Sequence, residues 1–109
     1  MALMQALLRR YPAIEMLRSE TLKDARRMLQ EIQPQLLLLD LNLPDGNGLD
    51  LLNDLRAYGV PYPIWILSAD ASQQAHDTAL QLGANMFMSK PLDVAKFHKS
   101  MAQLLDKMQ

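Results

Sequence analysis

The stretch LLLLDLNLPDGNG, residues 36–48, decides how this chain folds. Its first part is a continuous apolar run, which is typical of a parallel strand buried on both faces. The run stops at a carboxylate, Asp40, and a turn-forming loop of Asn, Pro, Asp and Gly follows. Open α/β sheets bind ligands at the carboxyl ends of their strands. Asp40 is therefore either a working residue of a site or a strand-end carboxylate that meets water.

The segments around this stretch alternate between helical and strand patterns. Apolar spacing of three or four residues predicts helices within 3–10, 22–32, 49–55, 75–82 and 94–108. Short apolar runs predict strands within 13–17, 35–41, 62–67 and 85–89. Thr21 and Asp93 are predicted helix caps, and Gly83 is predicted to end a helix. The alternation predicts an α/β fold with a parallel sheet of four recognisable strands.

The apolar faces of two helices can be written out from the spacing. The first predicted face contains Leu22, Ala25, Leu29 and Ile32, with Pro34 ending the helix. The second contains Val94, Phe97, Met101, Leu104 and Met108. Both faces are expected to pack into the core.

Three polar residues are predicted to meet at one edge of the sheet, because each follows its own strand: Asp40, Ser68 and Lys90. A carboxylate oxygen can attack phosphorus, and an ammonium group offsets phosphoryl charge. A hydroxyl group can donate to a phosphoryl oxygen. Three unrelated polar residues at strand ends remain the alternative interpretation.

Composition narrows the class of protein. The 109 residues predict one domain, 1–109, and a net charge of −1 gives no electrostatic footprint for nucleic acid. The absence of cysteine excludes disulfides and thiolate metal sites, which is consistent with the cytoplasm. No apolar run approaches the roughly 18 residues of a membrane span.

Three pieces of sequence together resemble the receiver domain of two-component response regulators. They are LLLLDLNLPDGNGLDLLNDLR, PIWILSA and GANMFMSKPL, in the order and approximate spacing of that family. The resemblance implies a flavodoxin-like three-layer sandwich with strand order 2-1-3-4-5. It also implies a signalling module that a histidine kinase phosphorylates. Its own chemistry would be at most slow self-phosphotransfer and autodephosphorylation.

The resemblance further implies roles for individual residues. Asp40 matches the phosphoacceptor, and it would bind Mg²⁺ together with the backbone carbonyl of Asn42. Ser68 matches the switch hydroxyl, and Lys90 matches the lysine that contacts phosphate. The matching switch and structural positions are Ala69, Phe87 and Pro91, the last of these following a cis peptide bond.

One part of the family pattern is not found in the sequence. The family's first strand ends in an acidic pair that holds Mg²⁺, and counting back from Asp40 puts this strand before Met1. We therefore expect the domain to be N-terminally incomplete and Mg²⁺ binding to be weak, unless Asp45 or Asp70 compensates. The sheet would be closed by its own first strand, by strand exchange with a second copy, or by residues upstream of Met1, which is our hypothesis.

Two functions remain open on the sequence, beside a third interpretation as a structural fragment with no activity. The first is a phosphorylation switch whose partners are a histidine kinase and a downstream output domain or protein. Its signal would be read on a face formed by helix 71–82, strand 86–89 and helix 93–108. The second is a phosphorylation-independent interaction or homodimerisation module that uses the same surface. Direct contact with nucleic acid or membrane is expected in neither case.

Overall fold

A computed structural model describes residues 21–70, 72–91 and 93–107. Thr21 to Pro91 lie in one compact unit, and Asp93 to Lys107 lie in a second. The helix predicted within 3–10, the strand predicted within 13–17 and Met108 lie outside the described residues. The elements in chain order are α1 (Leu22–Glu31), β1 (Leu37–Asp40), β2 (Asn42–Leu43), β3 (Gly46–Asn47), α2 (Gly48–Ala57), β4 (Ile64–Ser68), α3 (Gln73–Gln81), β5 (Met86–Ser89) and α4 (Val94–Lys107).

The main sheet is parallel and has the strand order β1-β4-β5. Asp40 is paired in register with Leu67, and Ser68 with Ser89, so the three strands end close to one another. Parallel strands joined through helices confirm the predicted α/β class. The carboxyl ends of these strands therefore lie side by side along one edge of the sheet, which is where Asp40, Ser68 and Lys90 were predicted to meet.

Burial differs between the strands of this sheet. All five residues of β4 are buried, and β4 is paired with a strand along both of its sides. In β1 only Leu39 is fully buried, and Leu37 and Leu38 are half-buried. Within the described residues β1 has a single paired neighbour, β4. The burial on both faces that was predicted for the leucine run is thus complete only at Leu39.

The loop expected after Asp40 contains a small hairpin. β2 and β3 pair in antiparallel fashion, with Asn42 opposite Asn47 and Leu43 opposite Gly46. Pro44 and Asp45 form the turn between them. A two-residue turn that contains Pro and Asp and is followed by Gly matches the turn chemistry of the sequence.

Helix caps follow the predicted chemistry. The Thr21 side chain accepts a hydrogen bond from the Asp24 N–H at 3.1 Å, and Asp93 accepts one from the Lys96 N–H at 3.1 Å. Gly83, with φ of 110°, lies just beyond α3. Both predicted caps and the predicted helix end are therefore confirmed.

The predicted apolar faces need two corrections. Leu22, Ala25 and Leu29 contribute to the hydrophobic core as expected. Ile32 does not, because it leaves the helical path two residues before Pro34 and is 41% exposed. On α4, Phe97 and Met101 are buried, whereas Val94 is 41% exposed.

None of the described helices is long and apolar enough to cross a lipid bilayer.

One side chain ties together the loops that lead into two strands. The guanidinium of Arg56, near the end of α2, donates to the carbonyls of Gly83, Val60 and Tyr62 at 2.8, 2.9 and 3.1 Å. It also donates to Asn85 Oδ1 at 2.7 Å. The same oxygen accepts the Ile64 N–H at 2.8 Å. Arg56 thereby connects the beginnings of β4 and β5, at the opposite edge from Ser68 and Lys90.

Candidate functional site

An ion pair joins the ends of two strands at the predicted edge. Lys90 Nζ donates to Asp40 Oδ2 at 2.6 Å, although the two residues are 50 positions apart in the chain. The two side chains are 35% and 21% exposed, so solvent reaches both of them. The structure thus brings together two of the three residues that were predicted to meet here.

The second oxygen of the same carboxylate is also held. The Asn42 N–H donates to Asp40 Oδ1 at 2.9 Å, from the first residue of the hairpin. One oxygen therefore contacts a cation and the other contacts a backbone dipole, which fixes the plane of the carboxylate. Both contacts orient the carboxylate, and solvent still reaches it.

Ser68 lies at the end of the central strand, but its hydroxyl is engaged elsewhere. The residue is 2% exposed, and its Oγ accepts the Asp70 N–H at 3.0 Å. Its backbone carbonyl accepts the Lys90 N–H at 2.8 Å, which links the ends of β4 and β5. Ala69, next to it, is exposed. Because the contact with the Asp70 N–H uses the Ser68 hydroxyl only as an acceptor, its proton stays available for donation.

Phe87 is buried in β5 and contacts a histidine that the sequence did not single out. The rings of Phe87 and His76 meet edge to face, with centroids 5.5 Å apart. His76 is on α3, beside Asp77, whose carboxylate oxygen is 3.4 Å from His76 Nδ1. The helical position of His76 was visible in the sequence, but no local pattern pointed to its contact with β5.

The backbone leaves little room between Gly48 and the main chain of Asp40 and Leu41. A β-carbon added to Gly48 would be 2.8 Å from the Asp40 carbonyl oxygen and 3.1 Å from Leu41 Cα. Gly48 is therefore required by the close approach of two backbone segments. The peptide bond between Lys90 and Pro91 is cis, as the resemblance implies.

The described residues do not make a complete site for Mg²⁺. Asp40 and the Asn42 carbonyl supply too few oxygen ligands, and no group of three or more His, Cys, Asp or Glu residues is arranged for a metal in the described ranges. Both oxygens of Asp45 accept N–H groups of α1, and Asp70 Oδ1 accepts the Ser72 N–H. These bonds lower the pKa of both carboxyls. The alternative that Asp45 or Asp70 compensates for the acidic pair therefore gains no support from these contacts.

Comparison with known proteins identifies the family. A family model described as the response regulator receiver domain matches residues 1–102. The chain belongs to this family. Receiver domains are in general signalling modules and not enzymes, and they typically bind Mg²⁺.

Individual relatives agree with the family model. The KDP operon transcriptional regulatory protein KdpE of Escherichia coli K12 is 35% identical over 78 residues, which are 72% of this chain and 34% of that protein. The match thus spans about a third of the length of this relative. A signal receiver domain from Vibrio parahaemolyticus has a TM-score of 0.87 and 29% identity, covering 97% of this chain and 81% of that one.

A more distant structure supports the fold alone. It is a response regulator from Burkholderia pseudomallei that contains a phosphorylated aspartic acid, with a TM-score of 0.76 and 19% identity. The match covers 98% of this chain and 68% of that one. The flavodoxin-like fold predicted for this receiver domain is confirmed by these neighbours.

Proposed function

We propose that this receiver domain accepts a phosphoryl group on Asp40 from a histidine kinase and thereby switches a partner-binding face. The observation that carries the proposal is the Asp40–Lys90 ion pair at 2.6 Å, at the carboxyl ends of β1 and β5. It combines an oxygen nucleophile with a cation suited to phosphoryl charge. The phosphorylated aspartic acid of the Burkholderia pseudomallei regulator provides a parallel in the same fold.

The chemistry follows from these two side chains. A carboxylate oxygen of Asp40 forms a bond to phosphorus while the bond from phosphorus to the donor histidine nitrogen breaks, and the nitrogen keeps the electron pair. Lys90 transfers its hydrogen bond from the carboxylate to a phosphoryl oxygen. Mg²⁺, when bound by the complete family site, would offset further charge. In this chain Asp40 and Asn42 would be two of its ligands.

The switch begins at Ser68. In the unphosphorylated structure the Ser68 hydroxyl accepts the Asp70 N–H, and Phe87 is buried against His76. On phosphorylation the Ser68 hydroxyl turns to donate to the phosphoryl group, and Phe87 moves with it. Ala69 leaves room for the added group. The surface of α3 and β5 changes as a result.

The proposed setting is a cytoplasmic two-component system. The partners are the histidine kinase and an output domain or protein that reads the altered surface. A homodimer or strand exchange between two copies is part of the same proposal. Enzymatic activity is confined to slow self-phosphotransfer and autodephosphorylation.

The proposal is tested by incubating the 109-residue chain with acetyl phosphate and Mg²⁺ and measuring its intact mass. We expect a single phosphoryl adduct, which fragmentation of the peptide around residues 36–48 assigns to Asp40. A parallel sample with a metal chelator measures the dependence on Mg²⁺. An adduct on another residue, or no adduct, would contradict the proposal and favour the phosphorylation-independent module.

Replacing Lys90 by methionine should slow phosphorylation on the order of 100-fold, because it removes a cation from the transferring phosphoryl group. The substitution also frees the Asp40 carboxylate from an ion pair, and this change by itself should raise the rate of phosphorylation. A partly exposed pair contributes about 1 kcal/mol or less, whereas transition-state stabilisation by one positioned donor contributes about 3 kcal/mol. Slowing should therefore prevail.

The rate of adduct formation at fixed acetyl phosphate concentration measures this effect. Lys99→Met is the matched control, since Lys99 is exposed on α4, and its rate should equal that of the wild type. A Lys90→Met rate as fast as that of the control would show that Lys90 only pairs with the resting carboxylate.

A further inference from the structure

Asp45 joins the hairpin to a helix that precedes it in the chain. Its Oδ1 accepts the Leu22 N–H at 2.7 Å and its Oδ2 accepts the Lys23 N–H at 3.1 Å, across 23 and 22 positions of sequence. The first N–H groups of a helix lack partners within the helix. Asp45 accepts hydrogen bonds from two of these N–H groups at the start of α1, although it lies outside that helix. These bonds lower the pKa of its carboxyl.

The hairpin lies directly against the same end of α1. Gly46 has a φ of 155°, and a β-carbon added to it would be 2.7 Å from Leu22 Cδ1. Leu22 is itself buried in the core. The turn is therefore held against a fixed part of the fold by a polar contact at Asp45 and by close packing at Gly46.

The other end of the hairpin reaches the proposed acceptor. The Asn42 N–H donates to Asp40 Oδ1 at 2.9 Å, and Gly48 packs on the Asp40 carbonyl. The Gly48 N–H donates to the Leu41 carbonyl at 3.1 Å. A displacement of the turn would be transmitted along the paired strands β2 and β3 to the residue that orients the Asp40 carboxylate.

We propose that Asp45 is a positioning residue for phosphoryl transfer: by fixing the hairpin to the start of α1, it keeps the Asn42 N–H on the Asp40 carboxylate. Asp45 does not touch the reacting atoms. This inference rests on the proposed function of Asp40, and it adds a residue whose sequence position suggested only a turn or a metal ligand.

Removing the Asp45 side chain should slow phosphorylation by about tenfold, because small errors in the position of reacting groups have large effects on rate. Asp45→Ala removes both hydrogen bonds. Asp45→Asn retains one acceptor oxygen and should give an intermediate rate. This partial rescue separates positioning from a general loss of stability.

Thr21→Ala provides the matched control. Thr21 caps the same helix through the Asp24 N–H at 3.1 Å, from the residue directly before α1. Both alanine variants remove a cap from the same end of α1, so their losses of stability should be similar. Only the Asp45 variant should slow the reaction with acetyl phosphate.

A second readout does not depend on phosphorylation. The amide proton of Asn42 is bonded to a carboxylate, and NMR should show its resonance shifted upfield in Asp45→Ala but unchanged in Thr21→Ala. If the wild type accepts phosphate and Asp45→Ala reacts at the same rate, the positioning role is overturned. If the wild type accepts no phosphate, the proposed function fails, and the Asn42 resonance alone tests the role of Asp45. An unshifted Asn42 resonance in Asp45→Ala would then show that Asp45 does not keep the Asn42 N–H on the Asp40 carboxylate.

Discussion

Replacing Asp40 by asparagine is expected to abolish the phosphoryl adduct. An amide lacks the anionic oxygen that attacks phosphorus, so the reaction loses its nucleophile. The fold should persist, because the asparagine oxygen still accepts a hydrogen bond from Asn42 or Lys90, and a partly exposed ion pair contributes about 1 kcal/mol or less. Intact mass after incubation with acetyl phosphate and Mg²⁺ measures the adduct, and thermal unfolding verifies the fold.

Asp50→Asn is the matched control for this substitution. Asp50 is an exposed aspartate in the first turn of α2, only ten positions from Asp40, and its variant should retain the adduct. An adduct that persists in Asp40→Asn would show that another residue is the acceptor. If Asp40→Asn also leaves partner binding unchanged, the surface acts independently of phosphorylation.

Replacing Arg56 by methionine should lower the free energy of unfolding by about 2–4 kcal/mol. The substitution removes four hydrogen bonds, three of them to backbone carbonyls in the loops before β4 and β5. Methionine retains much of the aliphatic volume, so the change reports mainly the lost polar contacts. Urea unfolding followed by the fluorescence of the buried Trp65 measures it, with a lower midpoint and an unchanged slope.

Arg26→Met is the control for the loss of an arginine. Arg26 forms a surface ion pair with Asp54 at 2.8 Å, in which both side chains are more than 40% exposed. Such pairs contribute about 1 kcal/mol or less. A loss of stability in Arg56→Met no larger than in Arg26→Met would show that water replaces the Arg56 contacts without penalty.

The Asp40 and Arg56 substitutions concern opposite edges of one sheet, at the carboxyl ends and at the amino ends of its strands. Arg56 connects the loops at which β4 and β5 begin, and Ser68 and Lys90 follow where those strands end. The alignment of the strand ends depends on the register between Ser68 and Ser89. A residue that organises one edge can therefore influence the geometry of the other, although it is remote from the reacting groups.

The sequence predicted the local elements well because their signals are local. The four-residue leucine run identified β1, the spacing of Leu22, Ala25 and Leu29 identified α1, and Thr21 and Asp93 identified helix starts. One error occurred where a pattern continued past the physical end of an element. Ile32 fits the helical spacing of α1, but the chain turns extended before Pro34.

By itself, the sequence determined the α/β class, the family and the edge at which Asp40, Ser68 and Lys90 were expected, since each depends on short-range periodicity or on motif spacing. Tertiary structure alone decided which of these groups touch. It joined Asp40 to Lys90, turned the Ser68 hydroxyl toward Asp70, and directed Asp45 to α1. These contacts are specified by the docking of segments that are distant in the chain, and no local spacing encodes that docking.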